Sequence, residues 1–173
     1  QTGGRGRLGR CWADDHGLGI ALTIAVGLQN PERLALASGL AACITAEHSN
    51  APSPGIRWPN DVMVGGRKLA GVLIEVSSSL AFIGIGLNVH QTTWPTELTD
   101  IAISLAQTGV VADRLNVVRT LLETIDETLR WSDARLVSEF TSRDLLRGTT
   151  RVFEHAGRQI TGRVRQIDPI VGL

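Results

Sequence analysis

With 173 residues, 43% of them hydrophobic and 20% charged, the chain can bury one good core plus a small appendage and has the composition of an ordinary soluble globular protein. Its formal net charge is zero, which argues against a general nucleic-acid binder, and no apolar run reaches membrane-span length or resembles a signal peptide. Cys11 and Cys43 form no Cys-x-x-Cys pair, and His16, His48, His90 and His155 are scattered. The expectation is free thiols in a reducing cytoplasm and no resident metal site.

Residues 1–12, Gln1 to Trp12, hold four glycines and three arginines. Glycine costs conformational entropy, and the run offers a core little beyond Leu8 and Trp12. What it does offer is backbone that bends around a ligand, interleaved with guanidinium forks that suit phosphate or carboxylate. An anion-wrapping loop is expected. Gly4-x-Gly6-x-x-Gly9 also matches the dinucleotide fingerprint, and Gly4 to Gly9 has the P-loop spacing. The context of neither is met: the sequence begins almost at the motif, more loop follows, and Arg10 and Cys11 replace the P-loop Lys and Ser/Thr. A basic surface loop without a ligand is the plain alternative.

Gly19–Val26 is apolar, rich in β-branched residues, and reads as a buried strand. Asn30-Pro31-Glu32 supplies an N-cap, a proline at the first helical position and an acid in the first turn, predicting a helix through Ala46 whose small residues pack on a sheet. In Ile56–Val64, Pro59 cannot donate to a ladder, so a strand ends or bulges there. Gly65-Gly66 signals a hairpin. Strands follow over Lys68–Val76 and Leu80–Val89, the second interrupted by Gly84, Gly86 and Asn88, where a ligand or another backbone can approach. Asp113 caps a helix whose Leu115, Val118, Leu122, Ile125 and Leu129 form one apolar face, expected to cover the sheet. A second helical stretch covers Asp133–Phe140. Beyond Gly148 a hairpin of Thr150–His155 and Arg158–Ile167 carries Arg151, Arg158, Arg163 and Arg165, with Arg147 just ahead of it, as a solvated face or a partner surface. One hairpin is too small for an independent domain. Strands joined by hairpins predict an α+β fold with a mixed, mostly antiparallel sheet and packed helices.

Four blocks in order, Gly4–Trp12, Arg57-Trp58-Pro59-Asn60-Asp61, Arg67-Lys68-Leu69-Ala70-Gly71 and Gly84–Asn88, closely resemble the biotin–protein ligases. In that family a Gly-Arg-Gly-Arg-x-Gly-Arg-x-Trp loop, a Lys-Trp-Pro-Asn-Asp block, an Arg-Lys-Leu-Ala-Gly hairpin and a Gly-x-Gly-x-Asn strand follow one another. The resemblance spans about the whole chain. It implies a catalytic core like that of the class II aminoacyl-tRNA synthetases over 1–145 and the start of a small SH3-like barrel over 146–173. It further implies biotin and ATP as substrates, Mg²⁺, a biotinyl-5′-adenylate intermediate, and transfer to a lysine of the biotin carboxyl carrier protein of acetyl-CoA carboxylase. A cytoplasmic enzyme follows, with no DNA-binding domain in this chain and homodimerisation through a sheet edge left open.

By resemblance, Gln1, Gly4, Arg5, Gly6 and Arg7 lie over biotin. Arg5 and Arg7 also serve the chemistry at the phosphate, and Arg7, Arg10, Trp12, Asn60 and Asn88 the nucleotide, with Asp61 organising the pocket. Gly71, Gly84 and Gly86 leave room for biotin on the sheet. Arg57 stands where the family's lysine would contact biotin and phosphate, so it is assigned to biotin binding and catalysis. The residue types suit that chemistry in their own right, because a carboxylate and a triphosphate meet only where cations offset their repulsion in a water-poor site. Arginine keeps the charge but is longer, planar and forked, so activity is expected to survive with an altered rate. The resemblance also implies a strand and helix ahead of the glycine loop, with a Ser-Thr segment that contacts biotin. The sequence starts without them and ends before most of the barrel, and so reads as a fragment or a shortened relative. Two other functions are weighed: a lipoate–protein ligase-like acyl transferase, and a non-catalytic biotin or adenylate sensor that binds without turnover.

Overall fold

The computed structural model describes residues 3–6, 9, 11–12, 17–155 and 157–170. Its centre is a five-stranded antiparallel sheet, built from β3 (Gly19–Gly27), β4 (Gly55–Arg57), β5 (Asp61–Val64), β6 (Arg67–Ser77) and β7 (Leu80–Asn88) in the order β3-β7-β6-β5-β4. Ahead of it, β1 (Gly4–Arg5) and β2 (Cys11–Trp12) form a short antiparallel ribbon. Helix α1 (Pro31–His48) starts as its sequence dictates, with the Asn30 side chain accepting from the Arg33 N–H and proline in the first turn. It is buried almost all round because it lies between the sheet on one side and two further helices, α2 (Arg114–Leu129) and α3 (Asp133–Arg143), on the other. Ala37, Leu40, Ala41 and Ile85, Leu87, Val62 and Ala70 meet in one core.

All of this helix packing is on one face of the sheet. Ile20, Ile24, Val72, Ile74, Ile83, Ile85 and Leu87 point toward it. The alternate residues Ala21, Thr23, Gly71, Leu73, Glu75, Gly84 and Gly86 point the other way, as the two-residue period requires. That outer face is where the β1–β2 ribbon lies.

Three expectations need correction. The strand from Gly19 is half-buried, not buried, because β3 is an edge strand with one neighbour and its residues alternate between core and solvent. β7 runs unbroken through Gly84 and Gly86 to Asn88, since both glycines keep their pairing on each side. The buried face of α2 is Val117, Leu121, Thr124, Ile125 and Thr128, and it packs chiefly on α1, not on the sheet. Leu115 and Leu122 are 73% and 43% exposed. Threonines can fill the interface because their hydroxyls are satisfied there: Thr124 Oγ1 donates to the Thr120 carbonyl and lies 2.9 Å from Thr45 Oγ1. Of the expected stripe, Ile125, Val118 and Leu129 do pack on the core, and Leu115 and Leu122 do not.

The tail forms a two-stranded hairpin, β8 (Thr150–His155) with β9 (Arg158–Arg163), not a closed barrel among the described residues. Beyond it, Val164 and Ile167 are 5% and 1% exposed and belong to the main core. The outer edge of β4 is touched by the chain leaving α3, where the Leu145 N–H donates to the Ile56 carbonyl at 3.0 Å. Among the described residues no helix is long and apolar enough to cross a membrane.

The helix face is open to test. Leu121→Ala should cost about 2–5 kcal/mol of unfolding free energy in urea, as expected for a buried leucine. Leu115→Ala should change it by no more than about 0.5 kcal/mol. Equal losses would put Leu115 back on the packed face.

Candidate functional site

Register places one row of residues straight across the outer face. Arg57 on β4 opposes Asp61 on β5, Asp61 opposes Gly71 on β6, Gly71 opposes Gly86 on β7, and Gly86 opposes Ala21 on β3. The next row is Leu73, Gly84 and Thr23, and the one after it Glu75, Phe82 and Ala25. Side chains vanish where Gly71 and Gly86 meet, leaving a trough in the sheet. The chain fills that trough itself. A Cβ on Gly86 would come no more than 2.8 Å from three ring carbons of Trp12, and one on Gly71 would lie 2.7 Å from Cε and Nζ of Lys68 and 3.3 Å from Trp12. Over Gly84 the space is open, the nearest atom to such a Cβ being the Leu73 carbonyl oxygen at 3.5 Å. Of the three glycines expected to make room for biotin, all of which line the cavity, Gly84 has open space directly over it, while Gly71 and Gly86 also make room for Lys68 and Trp12.

Lys68 reaches this face through an irregularity in the sheet. Val62 pairs with Ala70 but Met63 pairs with Lys68, so Leu69 is an extra residue on β6. Simple alternation would have put Lys68 on the helix side with Ala70. The bulge re-aims it to the outer face. Its main chain is fixed there on both sides. The Lys68 N–H donates to the Ile101 carbonyl at 2.7 Å, and its own carbonyl accepts from the Ile103 N–H at 3.0 Å and from Asn88 Nδ2 at 3.3 Å. The ammonium group then lies 2.5 Å from Asp61 Oδ1 and 5.4 Å from the centre of the Trp12 ring.

Asp61 holds a second cation on its other side, accepting from Arg57 Nη2 at 2.6 Å. Burial alone would push the Asp61 carboxyl up, but hydrogen bonds from Arg57 and Lys68 and their charges outweigh it, and the net shift is below the ordinary 3.8.

A cavity of about 260 Å³ lies between this floor and the ribbon, lined by Gly3, Arg5, Gly6 and Trp12 from the loop and by Ala21, Thr23, Asn60, Lys68, Leu73, Glu75 and the three glycines from the sheet. Asn60 is anchored into its wall, with Nδ2 donating to the Val72 carbonyl at 2.7 Å. A larger cavity of about 510 Å³ shares Asn60, Val72 and Leu73 but has Glu32 as its one charged side chain. A pocket without a cation is a poor place for two anions, so the smaller one is the candidate.

The structure thus brings Arg5, Gly6, Trp12, Asn60, Gly71, Gly84 and Gly86 together, with Gly4 in the ribbon above them. It does not bring in Arg57. That side chain is 46% exposed and sits two strands out from Gly71, behind Asp61, and it does not line the cavity. Lys68, a residue without an assigned role in the sequence, lines it instead, together with Arg5. Asn88, at the end of β7, is 3% exposed and does not line the cavity, its amide nitrogen donating to the carbonyls of Lys68 and Ile103. Gln1, Arg7 and Arg10 lie outside the described residues. No group of three His, Cys, Asp or Glu side chains that could hold a metal occurs among the described residues. Cys43 is buried in α1, where burial pushes its thiol up to about 12.

Residues 1–90 match the biotin/lipoate A/B protein ligase family. The chain belongs to that family. A Mycobacterium tuberculosis relative, a biotin–[acetyl-CoA-carboxylase] ligase, is 37% identical over 97% of this chain and 67% of its own length. The bifunctional ligase/repressor BirA of Bacillus subtilis is 34% identical over 75% of this chain, but over only 44% of its own length. Among solved structures, the biotin protein ligase of Aquifex aeolicus in complex with biotin and ATP superposes with a TM-score of 0.86 at 32% identity, covering 96% of this chain and 75% of that one.

Two outcomes follow for this biotin/lipoate A/B ligase family member. Gly84→Ala should leave thermal stability nearly unchanged, because its Cβ meets only ordinary contacts, whereas Gly86→Ala must displace Trp12 and should lower the melting temperature. Asp61, with its depressed folded value, contributes stability that is present above about pH 4 and lost as the pH falls through that lower value. The stability gap between the native chain and Asp61→Asn should therefore close on acidification. A gap independent of pH would mean that Asp61 carries no paired charge.

Proposed function

We propose that the chain is an ATP-dependent biotin–protein ligase, which joins biotin to AMP and passes the biotinyl group to a lysine of a biotin carboxyl carrier protein. One observation carries the reading. The cavity over Gly84 mixes apolar and polar walls and takes in an ammonium group, Lys68, that is held in place by Asp61 and by the face of Trp12. A fixed cation beside open space on a glycine floor suits a small molecule that carries a carboxylate. Membership of the family and the relatives named above support the activity.

In the first half-reaction an oxygen of the biotin carboxylate attacks the α-phosphorus of ATP, an O–P bond forms, and the bond to the β-phosphate breaks to release pyrophosphate. Both reactants are anions, so the barrier falls where a fixed cation meets the charge that builds on the phosphoryl oxygens. We assign that role to Lys68, joined by arginines of the glycine loop. Asp61 prevents the ammonium from folding away, and Arg57 acts on the site only through Asp61. Mg²⁺ would arrive as the counter-ion of ATP, held mainly by phosphate and water, a mode that asks little of protein ligands. In the second half-reaction the amine of the acceptor lysine attacks the biotinyl carbonyl, a C–N bond forms, and AMP leaves with the electrons of the broken C–O bond. The loop over the pocket keeps water from taking the lysine's place.

Biotin-dependent exchange of labelled pyrophosphate into ATP tests the reading, with lipoate as the control acid. Lys68→Ala should lose about 10²–10³-fold in exchange rate, the usual cost of one such charge-stabilising group. Arg57→Ala should lose less than about tenfold. The reverse order would return the catalytic role to Arg57. Exchange with lipoate but not biotin would overturn the substrate, and binding of biotin without exchange would favour a sensor.

A further inference from the structure

Glu75 is out of place in a pocket for two anions. It is 56% exposed at the rim of the cavity, on the outer face of β6, and an unpaired carboxylate there would repel both substrates. Its partner is Arg5, whose Nη1 lies 3.8 Å from Glu75 Oε1.

The position of this pair matters more than its strength. Among the described residues, the β1–β2 ribbon meets the sheet through Trp12 and Arg5. On β2, Trp12 sits in the trough over Gly71 and Gly86. On β1, Arg5 meets Glu75, four residues further along β6, or about 13 Å of extended chain. β1 is only two residues long and pairs with β2 alone among the described strands. Among the described residues of β1, Arg5 is the side chain that pairs with the sheet, and the open space over Gly84 lies between it and Trp12.

We propose that Glu75 is a positioning residue: by pairing with Arg5 it holds the glycine–arginine loop down over the pocket, and so sets how long biotin and its adenylate are retained. The inference rests on the functional reading above. It makes a prediction opposite in sign to a simple charge effect. Neutralising Glu75 removes a negative charge from an anion site, which by itself would strengthen binding. As a latch, its loss weakens retention instead.

The test measures dissociation of biotin and of biotinyl adenylate from the native chain and from Glu75→Gln, Glu75→Asp and Arg5→Ala, by chase with unlabelled ligand at low salt. Both groups are exposed, so the pair is modest, and Glu75→Gln should speed release about two- to fivefold. Glu75→Asp should fall between it and the native chain, and high salt should erase the difference. In an Arg5→Ala background, Glu75→Gln should add nothing, since a residue acting through Arg5 has no effect once Arg5 is gone. Unchanged or slower release from Glu75→Gln, or effects of the two substitutions that multiply, would overturn the proposal. If the native chain bound no biotin, the functional reading would fail instead. Tryptic cleavage after the loop arginines, which needs no ligand, would then decide the latch alone: Glu75→Gln must be cut faster.

Discussion

A site that waits for anions has to store a cation beforehand without letting it collapse onto the wall. Asp61 meets that constraint. Its two oxygens hold Lys68 on the pocket side and Arg57 on the outer side. A partly buried ammonium is tolerable only when it is paired. The same carboxylate ties the ends of three strands, β4, β5 and β6, into one charged unit. Lys68 in turn needs the bare backbone of Gly71 to lie across and the bulge at Leu69 to reach that face at all. Removing any one of these leaves the others without purpose.

The fold keeps this arrangement on a rigid support. All the helices pack on the other face, so the outer face has the stiffness of a fully hydrogen-bonded sheet and no permanent cover. What covers it is a ribbon of two-residue strands rich in glycine, attached through an indole and an arginine. A rigid floor with a light, separately anchored roof is a sensible division for a pocket that has to open for a ligand and then exclude water. Trp12 serves both parts, since it plugs the trough and gives the ammonium an aromatic face.

Much of the scaffold was legible from local chemistry. The cap at Asn30, the proline break at Pro59 and the Gly65-Gly66 turn act within a few residues, and each is found where it was expected. The four family blocks come together around one cavity, and four of their glycines, Gly6, Gly71, Gly84 and Gly86, line it. What could not be read was orientation. Arg57 and Asp61 do meet across the proline bend, but β4 is the outermost strand, and that puts Arg57 outside the pocket. Lys68 changes face because of one extra residue in a ladder, and nothing in its local sequence announces a bulge. Thr124 and Thr128 were passed over on α2 because polar residues are not counted as core, although a hydroxyl that bonds back to its own helix can be buried at little cost.

The burial of Val164 and Ile167 has an effect on how the molecule comes apart. The change in composition near residue 146 coincides with no break in the core: the chain passes through an exposed arginine-bearing hairpin and then returns to plug the interior. Heat or denaturant would thus meet a closed loop, not a pendant arm. A chain cut at the β8–β9 turn would keep its distal piece seated through Val164 and Ile167.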